Sequence, residues 1–445
     1  MHALLKSIVV FILTWEAKRV IQKFHPKIIA VSGSVGKTTT KDAIYHLLQE
    51  RNAVRKSEKS YNGEIGIPLT ILDLPNAWGS PVGWLKVIWR GYRYRDTISE
   101  YPKVLVIEIG SDHPGDISNV LRWLEPHVVV MTLLPDMPVH VENFSSAEEL
   151  RQEDSLAVLA LKTGGVYVAN NDDKNSRGLI KSIEESAIRA VTYGFEKGAM
   201  LYGSHPQIRY AVSDGIEKAA GMQFEVMYEN VSYPIYVNGI LGRQVCSALL
   251  AAFATGIAHG ESMSRMADNT ITFVPPKGRM RIIEGRLGSS IIDDTYNSSP
   301  IAVEVALETL KEIRGKRKIA LLGDMLELGV YSEAEHWKAG RQAGSFVDEI
   351  ITVGKRAQWI AEAAKSSGLP QSRIHEFAGA VEAGEFLLSI LKTGDVVLAK
   401  GSQGSGKNMI RLERAVKIIM AHPEDASTLL VRQEDEWQQQ YKQIP

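Results

Sequence analysis

From residue 26 onwards the chain alternates short, continuously apolar segments with longer amphipathic ones, and this alternation restricts the possible folds more than any other feature. Continuously apolar runs are typical of strands that are buried on both faces, as they are in parallel sheets. Amphipathic stretches between such strands favour helices that cover the sheet. We therefore predict an α/β fold with mostly parallel sheets. The clearest predicted strands cover 27–32, 104–109, 127–133, 166–169, 317–322, 349–353 and 395–399, and the clearest predicted helices cover 37–51, 147–162, 300–314 and 332–344.

The length of the chain and two changes of pattern predict how the chain divides. Its 445 residues exceed what one hydrophobic core usually organises. Residues 196–240 contain short alternating segments, which predict antiparallel strands at 222–228 and 232–237. A second run of strand–helix units begins after Pro275 and Pro276. We predict an N-terminal helix at 1–25, a large domain at 26–280, a smaller α/β domain at 281–424 and a polar tail, helical or disordered, at 425–445.

Charge and cysteine content exclude several classes of protein. The formal net charge of the chain is -1, which gives no electrostatic reason to expect nucleic acid as the main partner. Cys246 is the single cysteine, so an intrachain disulfide and any metal site with several cysteines are excluded. The remaining composition is that of an ordinary globular protein.

The first 24 residues carry a short apolar run followed by a basic amphipathic pattern. The run at 8–15 is shorter than the roughly 20 residues that cross a bilayer, and no small-residue cleavage motif follows it. We therefore predict a cytoplasmic protein without a signal peptide. The later pattern predicts a helix that packs on its own domain or on a partner chain, with a membrane surface as the alternative. Its apolar positions are Ala17, Val20, Ile21 and Phe24, and its basic positions are Lys18, Arg19 and Lys23.

Directly after the first predicted strand comes a glycine-containing loop that is suited to phosphate. Its glycines let the backbone turn tightly and point amide groups at an anion, and the next helix adds positive potential at its N-terminus. Lys37 can reach the β- and γ-phosphates, and the Thr38 hydroxyl can hold Mg²⁺. The loop predicts binding of ATP and Mg²⁺, although Val31 replaces the first glycine of the general motif, and ATPases, kinases and ligases all use such loops. The predicted nucleotide contacts are Gly33, Ser34, Val35, Gly36, Lys37, Thr38 and Thr39.

Eight further segments follow this loop in an order that resembles the Mur ligase family, and within it the ligases that add D-alanyl-D-alanine. The likeness spans residues 27–420, nearly the whole chain. The longest match is the run from Asp293 to Pro300, which reads D-D-T-Y-N-S-S-P. The other segments lie at 61–70, 108–111, 140–144, 170–173, 278–280, 323–329 with His336, and 400–402.

The resemblance implies both a fold and a reaction. It implies a P-loop ATPase-type, mostly parallel sheet domain followed by a smaller Rossmann-like α/β domain. The implied activity is an ATP-dependent ligase that activates a carboxylate as an acyl phosphate and joins it to an amine. The acceptor would be a muramoyl peptide and the amine D-alanyl-D-alanine, in peptidoglycan synthesis. Closure of the last domain on the ATP domain would bring the substrates together.

The resemblance also implies roles for single residues. The catalytic residues would be Lys37, Glu108, His140 and Asp154, and the Mg²⁺ ligands would be Thr38, Glu108, His140 and Asp154. Beyond the phosphate loop, the nucleotide would contact Arg279, Asp294 and Asn297. The substrate side would hold Asn62, Asp324, Glu327, Lys400 and Ser402.

One departure from the family concerns the second Mg²⁺. Family members usually carry a carbamylated lysine on the helix after the H-x-E-x-F segment, whereas this chain has Glu153 and Asp154 there. A carbamate and a carboxylate are both anionic oxygen ligands. We therefore hypothesise that Asp154, or less favourably Glu153, supplies directly what carbamylation supplies elsewhere.

Further departures leave other interpretations open. Gln244 and Ala248 stand where the family has histidine and asparagine on one helix. The family carries a UDP-sugar-binding domain before its phosphate loop, whereas 26 residues precede the first predicted strand here. One alternative is a ligase of the same superfamily with a folate or poly-amino-acid acceptor. The other is a nucleotide-binding scaffold in which the ligase chemistry has decayed.

Overall fold

The computed structural model describes residues 3–58, 61–78, 80–138, 140–213, 215–404, 409–434 and 437. Residues 1–2 of the predicted N-terminal helix and residues 435–436 and 438–445 of the predicted polar tail lie outside these described residues. Within them the strands form two sheets. The prediction of an α/β fold with mostly parallel sheets is confirmed.

The first sheet has β1 (Lys27–Ser32) between β3 (Val104–Glu108) and β4 (Val128–Met131). Its order is β2-β3-β1-β4-β5-β6-β7-β8-β9, parallel as far as β7 and antiparallel from β7 to β9. Its strands are β1 Lys27–Ser32, β2 Val54–Lys56, β3 Val104–Glu108, β4 Val128–Met131, β5 Val166–Asn170, β6 Arg189–Gly194, β7 Leu201–Ser213, β8 Ile216–Tyr228 and β9 Val231–Asn238.

Successive side chains of β1 enter two different cores, because a strand points its side chains alternately to the two faces of a sheet. Ile29 and Val31 pack with α2 and α8, whereas Ile28 and Ala30 pack with α1, α3 and α4. The helices of this region are α1 Ala3–Phe24, α2 Lys37–Leu48, α3 Gly66–Leu72, α4 Pro81–Thr97, α5 Asp116–Leu121, α6 Ala147–Leu159, α7 Lys174–Gly178, α8 Arg243–His259 and α9 Met263–Asn269.

The N-terminal helix α1 lies on the first sheet. Its side chains Val9, Leu13, Ala17 and Val20 are buried in the core that they share with α3 and α4. The inner face of α1 therefore packs on its own chain, as one interpretation of this segment predicted. Among the described helices, none combines the length and the apolar composition needed to span a bilayer.

The second sheet begins at Arg281 and is parallel except for its edge strand β10. Its order is β10-β11-β15-β12-β13-β14. The strands are β10 Arg281–Glu284, β11 Ser290–Asp294, β12 Arg317–Gly323, β13 Glu349–Val353, β14 Ile374–Phe377 and β15 Asp395–Lys400. The helices are α10 Pro300–Glu312, α11 Ser332–Gly344, α12 Gln358–Ser366, α13 Ala380–Ile390, α14 Glu413–Ile419 and α15 Ala426–Leu429.

The start of the predicted polar tail is packed rather than exposed. Leu430 and Val431 are buried after α15. Arg432 is also buried, pairs with the Glu413 carboxylate at 3.2 Å and donates to the Thr295 carbonyl at 3.3 Å. These contacts hold the segment against the second sheet, because a buried guanidinium requires such partners.

Candidate active site between the two sheets

The phosphate loop runs from the end of β1 to the start of α2, where two glycines adopt positive φ. The φ angles are 115° at Gly33 and 89° at Gly36, values that side chains disfavour. A Cβ on Gly33 would lie 2.5 Å from Thr132 Oγ1, so that position also requires the absence of a side chain. No side chain caps the N-terminus of α2. Its first amide groups and the Lys37 ammonium group, which donates to the Gly33 carbonyl, form an environment that suits phosphate.

Glu108 lies beside this loop because β3 pairs with β1. Val31 is the register partner of Glu108, so β3 ends where the loop begins. The Thr38 hydroxyl donates to Glu108 Oε2 at 3.0 Å, and the glutamate is 2% exposed. A hydroxyl and a carboxylate oxygen at this separation fit Mg²⁺, which prefers oxygen ligands and usually takes only one or two from protein carboxylates. Among the described residues no group of three or more His, Cys, Asp or Glu side chains forms a ready-made metal site.

His140 connects the two sheets at the front of the loop. Its Nδ1 lies 2.7 Å from Glu327 Oε2, and its Nε2 lies 3.4 Å from Asp112 Oδ1. Burial by itself would lower the pKa of His140, but the contact with Glu327 and the negative charges of Glu327 and Asp112 outweigh burial and raise this pKa. The same contact lowers the pKa of Glu327. The pair therefore favours an imidazolium–carboxylate contact across the cleft.

Of the two acids on α6 that the sequence offers for the second Mg²⁺, Glu153 and Asp154, only Asp154 faces the loop. Its Oδ1 accepts from the Ser111 hydroxyl at 2.8 Å, and burial raises its pKa, against the lowering effects of the Lys37 charge, the Ser111 hydrogen bond and the His140 charge. Glu153 Oε1 instead accepts from the backbone N–H groups of residues 117 and 118 at the start of α5. Glu153 is thus occupied as a helix cap, which the sequence pattern did not distinguish.

Arg279 reaches the loop from the segment that precedes the second sheet. Its guanidinium lies 4.2 Å from the centre of the Tyr296 ring, and its Nη2 lies 3.5 Å from Thr38 Oγ1. Asn297 follows Tyr296 and lines the same cavity. Arg279 and Asn297 share this cavity with Lys37 and Thr38 of the loop, and their contact with the nucleotide stays a prediction.

Asp294 and Lys400 form a buried pair at the adjacent ends of β11 and β15. The Lys400 ammonium group donates to Asp294 Oδ2 at 2.6 Å and to the Asn297 carbonyl at 3.1 Å. Both side chains line a narrow cavity beside loop residues 35–39. Lys400 therefore lies on the loop side, whereas the resemblance implied the substrate side.

Asp324 and Ser402, also assigned to the substrate side, are occupied in shaping the loop after β12. Asp324 Oδ1 accepts from the backbone N–H groups of Arg356 and Ala357 at 2.9 and 2.7 Å. Ser402 Oγ accepts from the Leu326 N–H at 3.0 Å. The structure gives Asp324 a backbone-binding role. Of these two residues, only Ser402 lines the polar cavity between the two sheets.

Three cavities meet around the loop. A polar cavity of about 450 Å³ between the sheets brings together most of the predicted site residues. A larger cavity of about 730 Å³ adjoins it at Thr38, Asn62 and Arg279. Sequence reasoning missed Arg356 in the polar cavity and Arg432 in the larger one, because no motif identifies them, and it gave no role to Glu142, the glutamate of the H-x-E-x-F segment. Predicted residues in the polar cavity are Ser34, Gly36, Lys37, Thr38, Asn62, Glu108, His140, Arg279, Asn297, Glu327 and Ser402.

The third cavity is narrow and mostly apolar, about 100 Å³ in volume. Leu133, Ile240 and Val245 line it next to the loop. Gln244 also lines it, and its amide oxygen is buried without a hydrogen-bond partner. A small, mostly apolar cavity with an unpaired amide oxygen beside a phosphate loop suits a nucleobase.

Comparison with protein families gives two consecutive matches. A model described as the Mur ligase middle domain matches residues 31–256, which is more than half of the chain. A model described as the Mur ligase, glutamate ligase domain matches residues 278–403. The chain belongs to the Mur ligase family. The family resemblance predicted from the ordered motifs is thereby confirmed.

Individual members of the family are similar over most of their length. The UDP-N-acetylmuramoyl-tripeptide--D-alanyl-D-alanine ligase of Bacillus subtilis is 26% identical over 409 residues, which cover 92% of this chain and 79% of that protein. The enzyme of the same name from Synechocystis is 26% identical over 392 residues, covering 86% and 74%. The crystal structure of MurF ligase from Thermotoga maritima in complex with ADP superposes with a TM-score of 0.73 at 22% identity, covering 94% of this chain and 84% of that chain. This superposition shows a shared fold.

Proposed function

We propose that this Mur ligase is an ATP-dependent, ADP-forming enzyme that adds D-alanyl-D-alanine to a muramoyl peptide during peptidoglycan synthesis in the cytoplasm. The observation that carries the proposal is the contact of Thr38 with Glu108, beside the Lys37 ammonium group. It joins a phosphate loop to a carboxylate that is suited to Mg²⁺. The names of the similar enzymes from Bacillus subtilis and Synechocystis support the choice of acceptor and amine.

The loop binds and orients the triphosphate of ATP. The amide groups at the start of α2 bind phosphate oxygens, and Lys37 neutralises the charge that develops on the γ-phosphate. The base enters the narrow cavity, where the unpaired Gln244 amide replaces the family's histidine as a polar contact. Thr38 and Glu108 would hold Mg²⁺, which stabilises charge on the phosphates.

A second Mg²⁺ would be held by Asp154, and by His140 once its ring has lost the proton that the contact with Glu327 favours. Burial raises the pKa of Asp154, whereas the positive charges of Lys37 and His140 oppose that shift, as a bound Mg²⁺ would. Because Glu153 caps α5, Asp154 is the acid on α6 that can replace the family's carbamylated lysine.

The acceptor carboxylate lies in the polar cavity and one of its oxygens attacks the γ-phosphorus in line with the leaving ADP. Arg279 and Asn297, at the edge of that cavity, orient the phosphate and the acceptor. The product is an acyl phosphate. The amine nitrogen then attacks the acyl carbon, the C–O bond to phosphate breaks, and the amine loses a proton as inorganic phosphate leaves.

Phosphate release measured with ATP, Mg²⁺, UDP-N-acetylmuramoyl tripeptide and D-alanyl-D-alanine tests this function. We expect release only when both acceptor and amine are present, and at least about a hundredfold less release by Lys37→Ala, which removes a transition-state charge contact. Lys365→Ala, an exposed lysine on α12, is the matched control and should behave as the unchanged protein.

Each other outcome would overturn part of the proposal. Release with a folate or a poly-amino-acid acceptor, but not with the muramoyl peptide, would retain the ligase chemistry and change the substrate. Nucleotide binding without release on any acceptor would favour a scaffold.

The proposed role of Asp154 has its own test. Asp154→Ala should shift the Mg²⁺ concentration for half-maximal phosphate release upward by about tenfold or more, because an anionic ligand is lost. Glu153→Gln, which disturbs a helix cap instead, should leave that Mg²⁺ concentration unchanged. An unaltered Mg²⁺ dependence in Asp154→Ala would remove Asp154 from the metal site.

A further inference from the structure

Two helices on one side of the first sheet present apolar stripes to the outside. The inner faces of α1 and α4 are buried, whereas large apolar side chains on their outer faces are between 41% and 73% exposed. On each helix these side chains recur at intervals of three or four residues, which places them on one face. We call the two stripes together the α1–α4 face. Its members are Leu5, Ile8, Phe11 and Trp15 on α1, and Val82, Leu85, Trp89 and Tyr92 on α4.

The two stripes form one continuous surface because the helices meet. The rings of Trp15 and Tyr92 stack with their centres 6.4 Å apart. The Arg19 guanidinium lies 4.5 Å from the Trp15 ring centre and 5.5 Å from that of Tyr92. Trp84 and Val87 of α4 are buried in the same core as the inner face of α1, so this core holds both stripes in place.

The charge of this surface differs from that of the rest of the chain. Helices α1 and α4 contain eight basic and two acidic residues, a formal charge of +6, although the net charge of the whole chain is -1. Basic side chains also lie among the aromatic ones, since the Arg93 guanidinium is 5.2 Å from the centre of the Trp89 ring. The face therefore combines exposed apolar rings with concentrated positive charge.

We propose that the α1–α4 face docks on the surface of an anionic lipid bilayer. Aromatic and aliphatic side chains would enter the boundary between headgroups and acyl chains, and Lys and Arg would extend to the lipid phosphates. A second copy of this chain fits less well, because two such faces, each with a formal charge of +6, would repel each other. A protein partner also fits less well, because protein interfaces are depleted in lysine, and four of the eight basic residues on these helices are lysines.

Docking would place the larger cavity next to the lipid headgroups. Lys6 of α1 lines that cavity together with Asn62 and Arg279, which also line the polar cavity beside the phosphate loop. The proposal is independent of the ligase function, because none of the stripe residues lines the polar cavity.

Vesicle co-sedimentation of the full chain tests the proposal. We expect at least about tenfold stronger binding to vesicles of phosphatidylcholine with one-third phosphatidylglycerol than to phosphatidylcholine alone, and weaker binding at high salt, because the attraction is partly electrostatic. The apolar part is tested by Phe11→Ser/Leu85→Ser/Trp89→Ser, with Val212→Ser/Val274→Ser/Val330→Ser as the matched control of exposed residues elsewhere. The basic part is tested by Lys86→Gln/Arg90→Gln/Arg93→Gln, with Lys197→Gln/Lys365→Gln/Arg373→Gln as its control.

Both test variants should lose at least about tenfold in vesicle affinity, while both controls and the thermal unfolding of all four variants stay unchanged. Absence of binding to either kind of vesicle would overturn the proposal, as would equal losses in tests and controls. Concentration-dependent self-association that the serine variants abolish would identify the face as an interface between copies instead. Phosphate release in solution reports the ligase function separately, so the two proposals can fail independently.

Discussion

Asp294 and Lys400 illustrate, at the scale of single residues, how one contact serves both stability and the site. The two side chains are 6% and 2% exposed and lie 2.6 Å apart. Removal of one partner leaves an uncompensated buried charge, which typically costs about 3–5 kcal/mol. We predict that Lys400→Met lowers the free energy of unfolding by about 3 kcal/mol, measured by urea denaturation followed by fluorescence.

The double variant Asp294→Leu/Lys400→Met separates the two roles. Replacement of both charges by apolar groups is often nearly neutral for stability. We therefore expect the double variant to recover most of the lost unfolding free energy but not ATP-dependent phosphate release. If the double variant were as unstable as the single one, burial of an unpaired charge would not explain the loss.

At this scale the sequence predicted residue identities better than contacts. The motifs identified Lys37, Thr38 and Glu108, which meet because adjacent parallel strands end together. They did not reveal that Asp324 accepts backbone N–H groups, since an acid in a turn motif looks the same whether it faces a ligand or the backbone. His336 is similar: its Nε2 accepts from the Met325 N–H at 2.9 Å, and burial lowers its pKa to about 4.

At the scale of secondary-structure elements, the contact between α1 and α4 contains a buried acid. Glu16 is 2% exposed, neither of its carboxylate oxygens has a hydrogen-bond partner, and a Cβ on Gly91 of α4 would lie 2.1 Å from its Oε2. Burial raises the pKa of Glu16 from 4.5 to about 7, although the Arg19 charge opposes the shift. The folded protein therefore favours the protonated carboxyl.

This shift predicts how the docking of α1 depends on pH. Because the pKa of Glu16 is higher in the folded than in the unfolded protein, the stability that its protonated carboxyl contributes is fully present below pH 4.5. This stability is lost as the pH rises through about 7, and the free energy of unfolding falls by up to about 3 kcal/mol. Glu16→Gln should keep the neutral form at every pH. We predict slower amide hydrogen exchange in α1 of Glu16→Gln than in the unchanged protein at pH 8, and little difference at pH 5.

Glu362→Gln is the matched control, because Glu362 is exposed on α12. It should leave exchange in α1 unaltered at both pH values. Equal exchange in α1 of Glu16→Gln and the unchanged protein at pH 8 would show that ionisation of the Glu16 carboxyl does not destabilise the docking of α1.

Elements with a strong local pattern were predicted closely, and a strand whose own pattern is interrupted was not. The predicted strand 27–32 and helix 332–344 coincide with β1 and α11. By contrast, β7 was missed: it contains Pro206, and its pairing with β8 shifts register between Ser204 and Gln207. Such a strand is specified by its antiparallel neighbour rather than by its own alternation.

At the scale of the whole molecule, the site depends on how the two sheets face each other, which local sequence patterns do not encode. Few polar contacts cross the front of the cleft. They include the His140–Glu327 contact at 2.7 Å, the Glu142 N–H donating to the Glu327 carbonyl at 3.4 Å, and Arg279 near Thr38. Behind these contacts the two sheets share one hydrophobic core, so at the front of the cleft alone the arrangement depends on a few partly exposed interactions, which are individually weak.

The weakness of these contacts makes closure at the front of the cleft sensitive to one side chain. Glu327 is 41% exposed and His140 20% exposed, so we assign their contact about 1 kcal/mol, roughly a fivefold change in the ratio of closed to open forms. We predict that Glu327→Gln increases the radius of gyration in small-angle scattering without nucleotide and lowers phosphate release several-fold. Glu304→Gln is the matched control, because the 2.7 Å contact of Glu304 with Lys338 joins α10 to α11 and does not cross the cleft. An unchanged radius in Glu327→Gln, or an equal change in Glu304→Gln, would mean that the apolar contacts between the sheets, and not this charged pair, set the closed state.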